Sequence, residues 1–368
     1  VAAGSRKYEL PWLNVAFCAM VLWSHCSAHP ITNLDRSSWQ FLFVYLAQRL
    51  SFVSVYGFFL LSGVKLTLPR SKPSPLLPYW RGRMQSIFLP YLLAVLVYYL
   101  WFVYFLRYFP FSWSALAGYA VRGDLSSHFY FVIALFQFVL LTPLFRWLSE
   151  RWSPLLLLPM TLGLSWLSAQ HLPQMLQLIW PDLSFRYADR VFLTYAFYYL
   201  AGCYIGRRYE DFLALLKKDR ALILASFALF AGADLVLTAL QVTGRRAIPY
   251  LEQIHMLYIL SAILFCFWAA TCLPREMPRW LIRVDQASYL IYLYHCLVIS
   301  AFNDKAAQLG IDRVGTQFVL RLLVVYTATP LLCVLWQHGV SRPLRAALQQ
   351  GAAALPIPSL SRFFAPKT

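Results

Sequence analysis

Residues 10–28, LPWLNVAFCAMVLWSHCSA, decide how the rest of the chain is read. As a helix rising about 1.5 Å per residue, such a run crosses most of the hydrocarbon core of a bilayer. It carries one ionisable side chain, His25, near its far end. A titratable group in such a segment is expensive to keep and marks a functional site by default. Similar apolar runs recur at 48–67, 86–106, 129–148, 154–170, 190–206, 221–240, 254–273, 286–302 and 319–338. Over the whole chain of 368 residues, 60% are hydrophobic and 13% charged, with mean hydropathy +0.58. Soluble domains carry about 25% charged residues. The sequence therefore predicts an all-α, polytopic integral membrane bundle of about ten transmembrane helices.

The net charge of +17 does not point to nucleic acid. The basic residues lie in short runs between apolar segments instead of forming one stripe. Arg81, Arg83, Arg207, Arg208, Lys217 and Lys218 fall in gaps on the same side as both termini, whereas Asp35, Asp124, Asp182 and Glu252 fall in the alternate gaps. By the positive-inside rule both termini are cytoplasmic and the His25 end of the first helix faces outward. Residues 1–345 read as a single transmembrane domain and 346–368 as a cytoplasmic tail, in a multi-pass protein of the cytoplasmic (inner) membrane. Seven cysteines without regular spacing give neither a disulfide framework nor a zinc motif. His25 and His29 share a helical face but lack a third ligand at metal-site spacing, so no metal is expected.

Polar chemistry gathers at two levels. On the basic side, YWRGR (79–83) leads into MQSIFLPY (84–91). Its arginines are either an orientation signal touching lipid headgroups or a site for a multiply phosphorylated ligand. On the opposite side, DLSSHFY (124–130), DLSFRYADR (182–190) and YLEQIH (250–255) mix aromatic, acidic and basic residues. Such loops are either an interfacial belt or a surface for a carbohydrate.

Taken in order, these segments resemble the large acyltransferase-3 family of membrane enzymes that acylate extracytoplasmic carbohydrates. The first helix of that family carries a basic residue and ends in a histidine eleven positions later. Here the histidine is His25, and Asn14 stands where arginine is usual. GFFLLSG (57–63), Arg81 and Arg83 followed by Pro90–Tyr91, HFYF (128–131) and SYLIYLYH (288–295) match further family patterns. Within the family the chain most resembles the intercellular-adhesion branch associated with poly-N-acetylglucosamine.

The resemblance implies transfer of an acyl group, acetyl or succinyl, from cytoplasmic acyl-coenzyme A to a hydroxyl of an extracytoplasmic polysaccharide or lipid-linked glycan. It implies His25 as the general base, because neutral imidazole suits proton removal near pH 7. Glu252 is the expected carboxylate partner of His25, with Asp35 and Asp124 next in order. Arg81 and Arg83, with Asn14, are assigned to the coenzyme A donor. Asp124, His128, Tyr130, Arg186 and His295 are assigned to the acceptor, with a hydrogen-bonded core histidine as the equal reading of His295. Tyr56, Tyr91, Tyr98, Tyr198 and Tyr292 are candidates to line a path through the bundle. Membrane lipid and polysaccharide synthesis or export machinery are the expected partners. A glycan exporter and a non-catalytic synthase subunit are the competing functions.

Overall fold

The computed structural model describes residues 7–69 and 75–341; the expected tail at 346–368 lies outside them. The chain is helical throughout the described residues. The principal helices are α1 (Glu9–Cys26), α2 (Trp39–Thr67, with a turn at Phe52), α3 (Leu76–Phe105), α4 (Trp113–Arg122) and α5 (Ser127–Leu140). They continue as α6 (Pro154–Ile179), α7 (Ala196–Arg207), α8 (Arg220–Val242), α9 (Leu251–Thr271), α10 (Arg279–Gln308) and α11 (Val314–Trp336).

Local chemistry starts and stops these helices. Ser38 caps α2 by accepting from the Phe41 amide at 3.1 Å, and Ser153 caps α6 ahead of Pro154, where a missing N–H costs nothing. Gly123 ends α4 at φ 63°, a left-handed turn that favours glycine. A β-carbon there would also press on Ile133 at 2.7 Å. The chain then re-enters as α5, bent by 52° from α4.

The count of ten spans needs correcting. Among the described residues, α2, α3, α6, α8, α9 and α11 are long and apolar enough to cross a membrane, which makes six, or seven if the bent α4–α5 pair is one span. The other expected spans fail for identifiable reasons. Glu9, Asn14 and His25 dilute the apolarity of α1, and Asp285, Asn303 and Asp304 do the same for α10. The run at 129–148 breaks at Leu141, and 190–206 becomes 3-10 turns ahead of a twelve-residue helix, α7.

The outermost faces belong to apolar helices. Leu155 on α6 and Leu222 and Leu229 on α8 are exposed leucines, a face that lipid covers and water would not. At the centre, α2 and α7 meet through glycine. A β-carbon at Gly63 would strike the Tyr199 carbonyl oxygen, and one at Gly202 would strike the Leu60 carbonyl oxygen. Gly57 gives way in the same manner to the Phe17 ring of α1. Backbone contact of this sort is how small residues join membrane helices where no hydrophobic effect drives them together. Arg321 of α11 is buried, donating to Asn303 of α10 at 3.0 Å and to the Cys26 carbonyl at the end of α1 at 3.4 Å.

Because the atoms opposed to Gly202 are backbone and cannot rotate away, Gly202→Ala is expected to cost at least about 1–3 kcal/mol. A fall in the thermal unfolding midpoint of the detergent-solubilised protein would register it; an unchanged midpoint would disprove this account of the α2–α7 contact.

Candidate active site

Three histidines from three helices meet in the bundle. His25 approaches from the last turn of α1, His128 from the start of α5 and His295 from the middle of α10. The ring centroid of His25 lies 4.9 Å from that of His295 and 5.8 Å from that of His128, and the last two are 4.8 Å apart. Sequence separations of about a hundred residues or more are closed here by helix packing.

A side chain of α3 ties α10 at the level of the trio. The Tyr98 hydroxyl donates to the Leu293 carbonyl at 3.0 Å and accepts from the Leu297 amide at 2.7 Å. It thus bonds both ends of one i to i+4 step of the continuous helix α10. The Leu293 carbonyl also accepts from His128 Nε2 at 3.1 Å, while the Tyr292 hydroxyl donates to the His128 carbonyl.

These contacts fix the protons. A ring nitrogen facing a carbonyl must be the donor, so His128 carries its proton on Nε2 and its Nδ1 accepts from the Ser126 hydroxyl at 3.0 Å. His295 donates from Nδ1 to the Tyr292 carbonyl at 2.7 Å, which leaves its Nε2 lone pair to the Cys296 thiol at 3.3 Å. Among the described residues no hydrogen bond reaches His25, whose ring is half-buried. His25, His295 and Cys296 also bring one ligand atom each within 4.8 Å of one another, a grouping able to hold a metal ion where the sequence suggested none.

The remaining expected site residues are distributed as follows. Glu252 is not beside His25 but is paired with Arg49, whose guanidinium donates to its Oε1 at 3.1 Å. The same guanidinium donates to Asp234 of α8 at 3.2 Å, and Asp234 also accepts from His255 Nδ1 at 2.8 Å. Arg49 and Asp234 are buried, so this network is an internal one. Asp35 is exposed and accepts from the Ser37 amide and hydroxyl, which hold its carboxyl below the usual range. Asp124 bonds Arg122 at 2.8 Å and Tyr187 at 3.4 Å. Arg186 is exposed on the loop before α7, apart from these clusters.

Asn14 joins helices. Its amide donates to Asp285 Oδ1 at 2.8 Å and to the Ser288 hydroxyl at 2.7 Å, tying α1 to the SYLIYLYH segment of α10. Arg83 lies 5.2 Å from the centre of the Tyr79 ring, and Arg146 lies 5.5 Å from it. Residues two apart on a helix do not face each other, so Arg83 finds its cationic neighbour in Arg146 from the Thr142–Arg151 helix. Of the candidate path tyrosines, Tyr91, Tyr98 and Tyr292 spend their hydroxyls on backbone carbonyls, whereas Tyr56 and Tyr198 pack against each other with ring centres 4.6 Å apart and planes tilted by 50°.

Arg49, Arg146, Asp234, His255 and Cys296 are the chemically active neighbours that the sequence did not single out. Arg49 and Asp234 each sit inside an apolar run, the same signal that exposed His25 and one that would have found them.

A membrane-embedded helical bundle with an internal histidine cluster and a separate basic site defines a class of transmembrane enzyme. A family model described as an acyltransferase domain matches residues 8–337, and the chain belongs to that family, acyltransferase-3. Membership makes it a membrane enzyme of acyl-CoA-dependent O-acylation. No curated protein and no solved structure gives a significant match.

Removing the Asn14 amide leaves Asp285 and Ser288 without that donor. Asn14→Leu is expected to lower stability by about 1–3 kcal/mol while leaving the donor KM unchanged. A raised donor KM with intact stability would return Asn14 to the donor site.

Proposed function

We propose that the protein transfers a small acyl group, acetyl or succinyl, from cytoplasmic acyl-coenzyme A to a hydroxyl of an extracytoplasmic glycan, with His25 as general base. One observation carries this reading: of the three clustered imidazoles, His25 alone has both ring nitrogens uncommitted among the described residues. His128 has spent both nitrogens and His295 has spent its proton and shares its lone pair. A base must have a lone pair to offer and must be reachable.

In the reaction, His25 takes the proton of the acceptor hydroxyl as its oxygen attacks the thioester carbonyl. The carbon–sulfur bond breaks, and the same proton passes to the departing coenzyme A thiolate. His128 and His295 wall the ring and keep it from turning away. No carboxylate is needed for this step, which agrees with the engagement of Glu252 by Arg49.

Arg83 and Arg146, both near the Tyr79 ring, suit the phosphates of the donor, with Arg81 on the same helix. From Arg83 to Tyr98 along α3 is fifteen residues, about 22 Å of helix. That length separates the basic end from the histidines, and an extended pantetheine arm fits such a gap. The basic end then faces the cytoplasm, where acyl-coenzyme A is made, and the histidine end faces the glycan in the cytoplasmic membrane of the cell.

His25→Ala is expected to lower transfer by about 10²–10⁴-fold without loss of folded, membrane-inserted protein. Purified protein in nanodiscs with radiolabelled acetyl-coenzyme A and a polysaccharide acceptor tests it, and normal transfer by the variant would refute the base assignment. Separately, Arg83→Ala combined with Arg146→Ala should raise the donor KM about tenfold or more and leave the acceptor KM unchanged. An unaltered donor KM would remove the phosphate site from this end of the bundle.

A further inference from the structure

Around Tyr56, Glu252 and His255 lie two adjoining cavities that the chemistry above does not use. One is about 180 Å³ and is walled by Arg49, Tyr56, Tyr130, Glu252 and His255; the other is about 60 Å³ and reaches Trp166 and Gln170. They share Tyr56, Glu252 and His255. The larger alone has room for about six waters at liquid density, on the scale of one hexose ring.

The walls have a definite chemistry. Trp166 presents a buried indole N–H with no hydrogen-bond partner, a donor that calls for an acceptor oxygen. Glu252, half-exposed, bonds Arg49 through one oxygen and has the other to accept from a hydroxyl. His255 faces Asp234 through Nδ1, so its Nε2 offers a lone pair. Tyr56 and Tyr198 add aromatic faces. Arg49 does not make this an anion site, because Asp234 and Glu252 together outweigh its charge. Acceptors, one unmet donor and flat rings around a site of no net positive charge match a polyhydroxylated ring better than a phosphate or an acyl chain.

Two links join the walls of these cavities to the helices that carry the histidines. Gln48, adjacent to Arg49, donates to the carbonyl of Ser24, adjacent to His25, at 2.8 Å. Tyr130, on the wall of the larger cavity, follows His128 by two residues. We infer that the paired cavities are the acceptor subsite, holding one glycosyl ring against Trp166, Tyr56 and Glu252 and presenting its hydroxyl to His25. This rests on the acyl-transfer reading and adds to it where the sugar sits and what holds it. Arg49 and Asp234 are then positioning residues that fix Glu252 and His255.

The test is saturation-transfer NMR on the full chain in nanodiscs, with methyl β-glucopyranoside as probe and sorbitol, its open-chain analogue, as control. Saturation of the glucoside ring protons, but not of sorbitol, is expected for the unaltered protein and for His25→Ala. Trp166→Phe and Glu252→Gln should each weaken glucoside binding about five- to tenfold, the scale of one lost hydrogen bond. Gln170→Leu, at the exposed end of the wall, gives a second reading should either variant unfold. No saturation in the unaltered protein, or equal saturation in all folded wall variants, would overturn the subsite. Binding that is intact and wall-dependent, with no acyl transfer, would instead overturn the catalytic reading and leave the subsite standing.

Discussion

The hydroxyl of Tyr98 ties α3 to α10 at the level of the three histidines. It donates to the Leu293 carbonyl and accepts from the Leu297 amide, so one side chain bonds both ends of a single helical step. Inside a bilayer every polar group must find its partner within the protein, and a buried tyrosine meets that demand here by using both its donor and its acceptor. The Leu293 carbonyl has capacity left to accept from His128. His295 and Cys296 lie within the same step of α10, so one tyrosine is bonded to the short segment that two of the three histidines share.

Around that point, α1 and α10, which carry two of the three histidines, are too polar for their composition alone to mark them as membrane-crossing, whereas α6 and α8 turn leucines outward. Arg49 is paired with two carboxylates, whereas Arg321 meets an amide oxygen and a helix-end carbonyl, with one buried guanidinium nitrogen lacking a hydrogen-bond partner. Breaking a buried pair by deleting one partner is far costlier than leaving it out altogether. Buried pairs of this kind are therefore kept where a function requires them.

Much of this was legible in the sequence, and the limits have physical causes. An all-helical membrane protein followed from apolar runs and charge placement, and His25 followed from being ionisable in such a run. GFFLLSG (57–63) stood out as a family pattern, and the structure brings Phe17 against Gly57 and the Tyr199 backbone against Gly63. The number of spans was not readable, because apolarity in a window does not separate a lipid-facing helix from a short buried one such as α7. Nor was the partner of Glu252 readable. Depth in the membrane gave its level, whereas its neighbour depends on how α2 and α9 face each other, which is a matter of packing between distant segments. For the same reason Arg81 and Arg83 looked paired by spacing, while the structure brings Arg146, from a distant segment, to the same Tyr79 ring as Arg83.

The hydrogen bonds that fix the imidazole tautomers have a consequence for bookkeeping of protons. His128 and His295 hold theirs against backbone carbonyls, which neither titrate nor move independently of their helices. His25 has no such bond among the described residues, so its orientation is set by packing against the other two rings and not by the backbone. Two rings of the trio are thus fixed by the same bonds that hold the helices, and the third is held by shape alone.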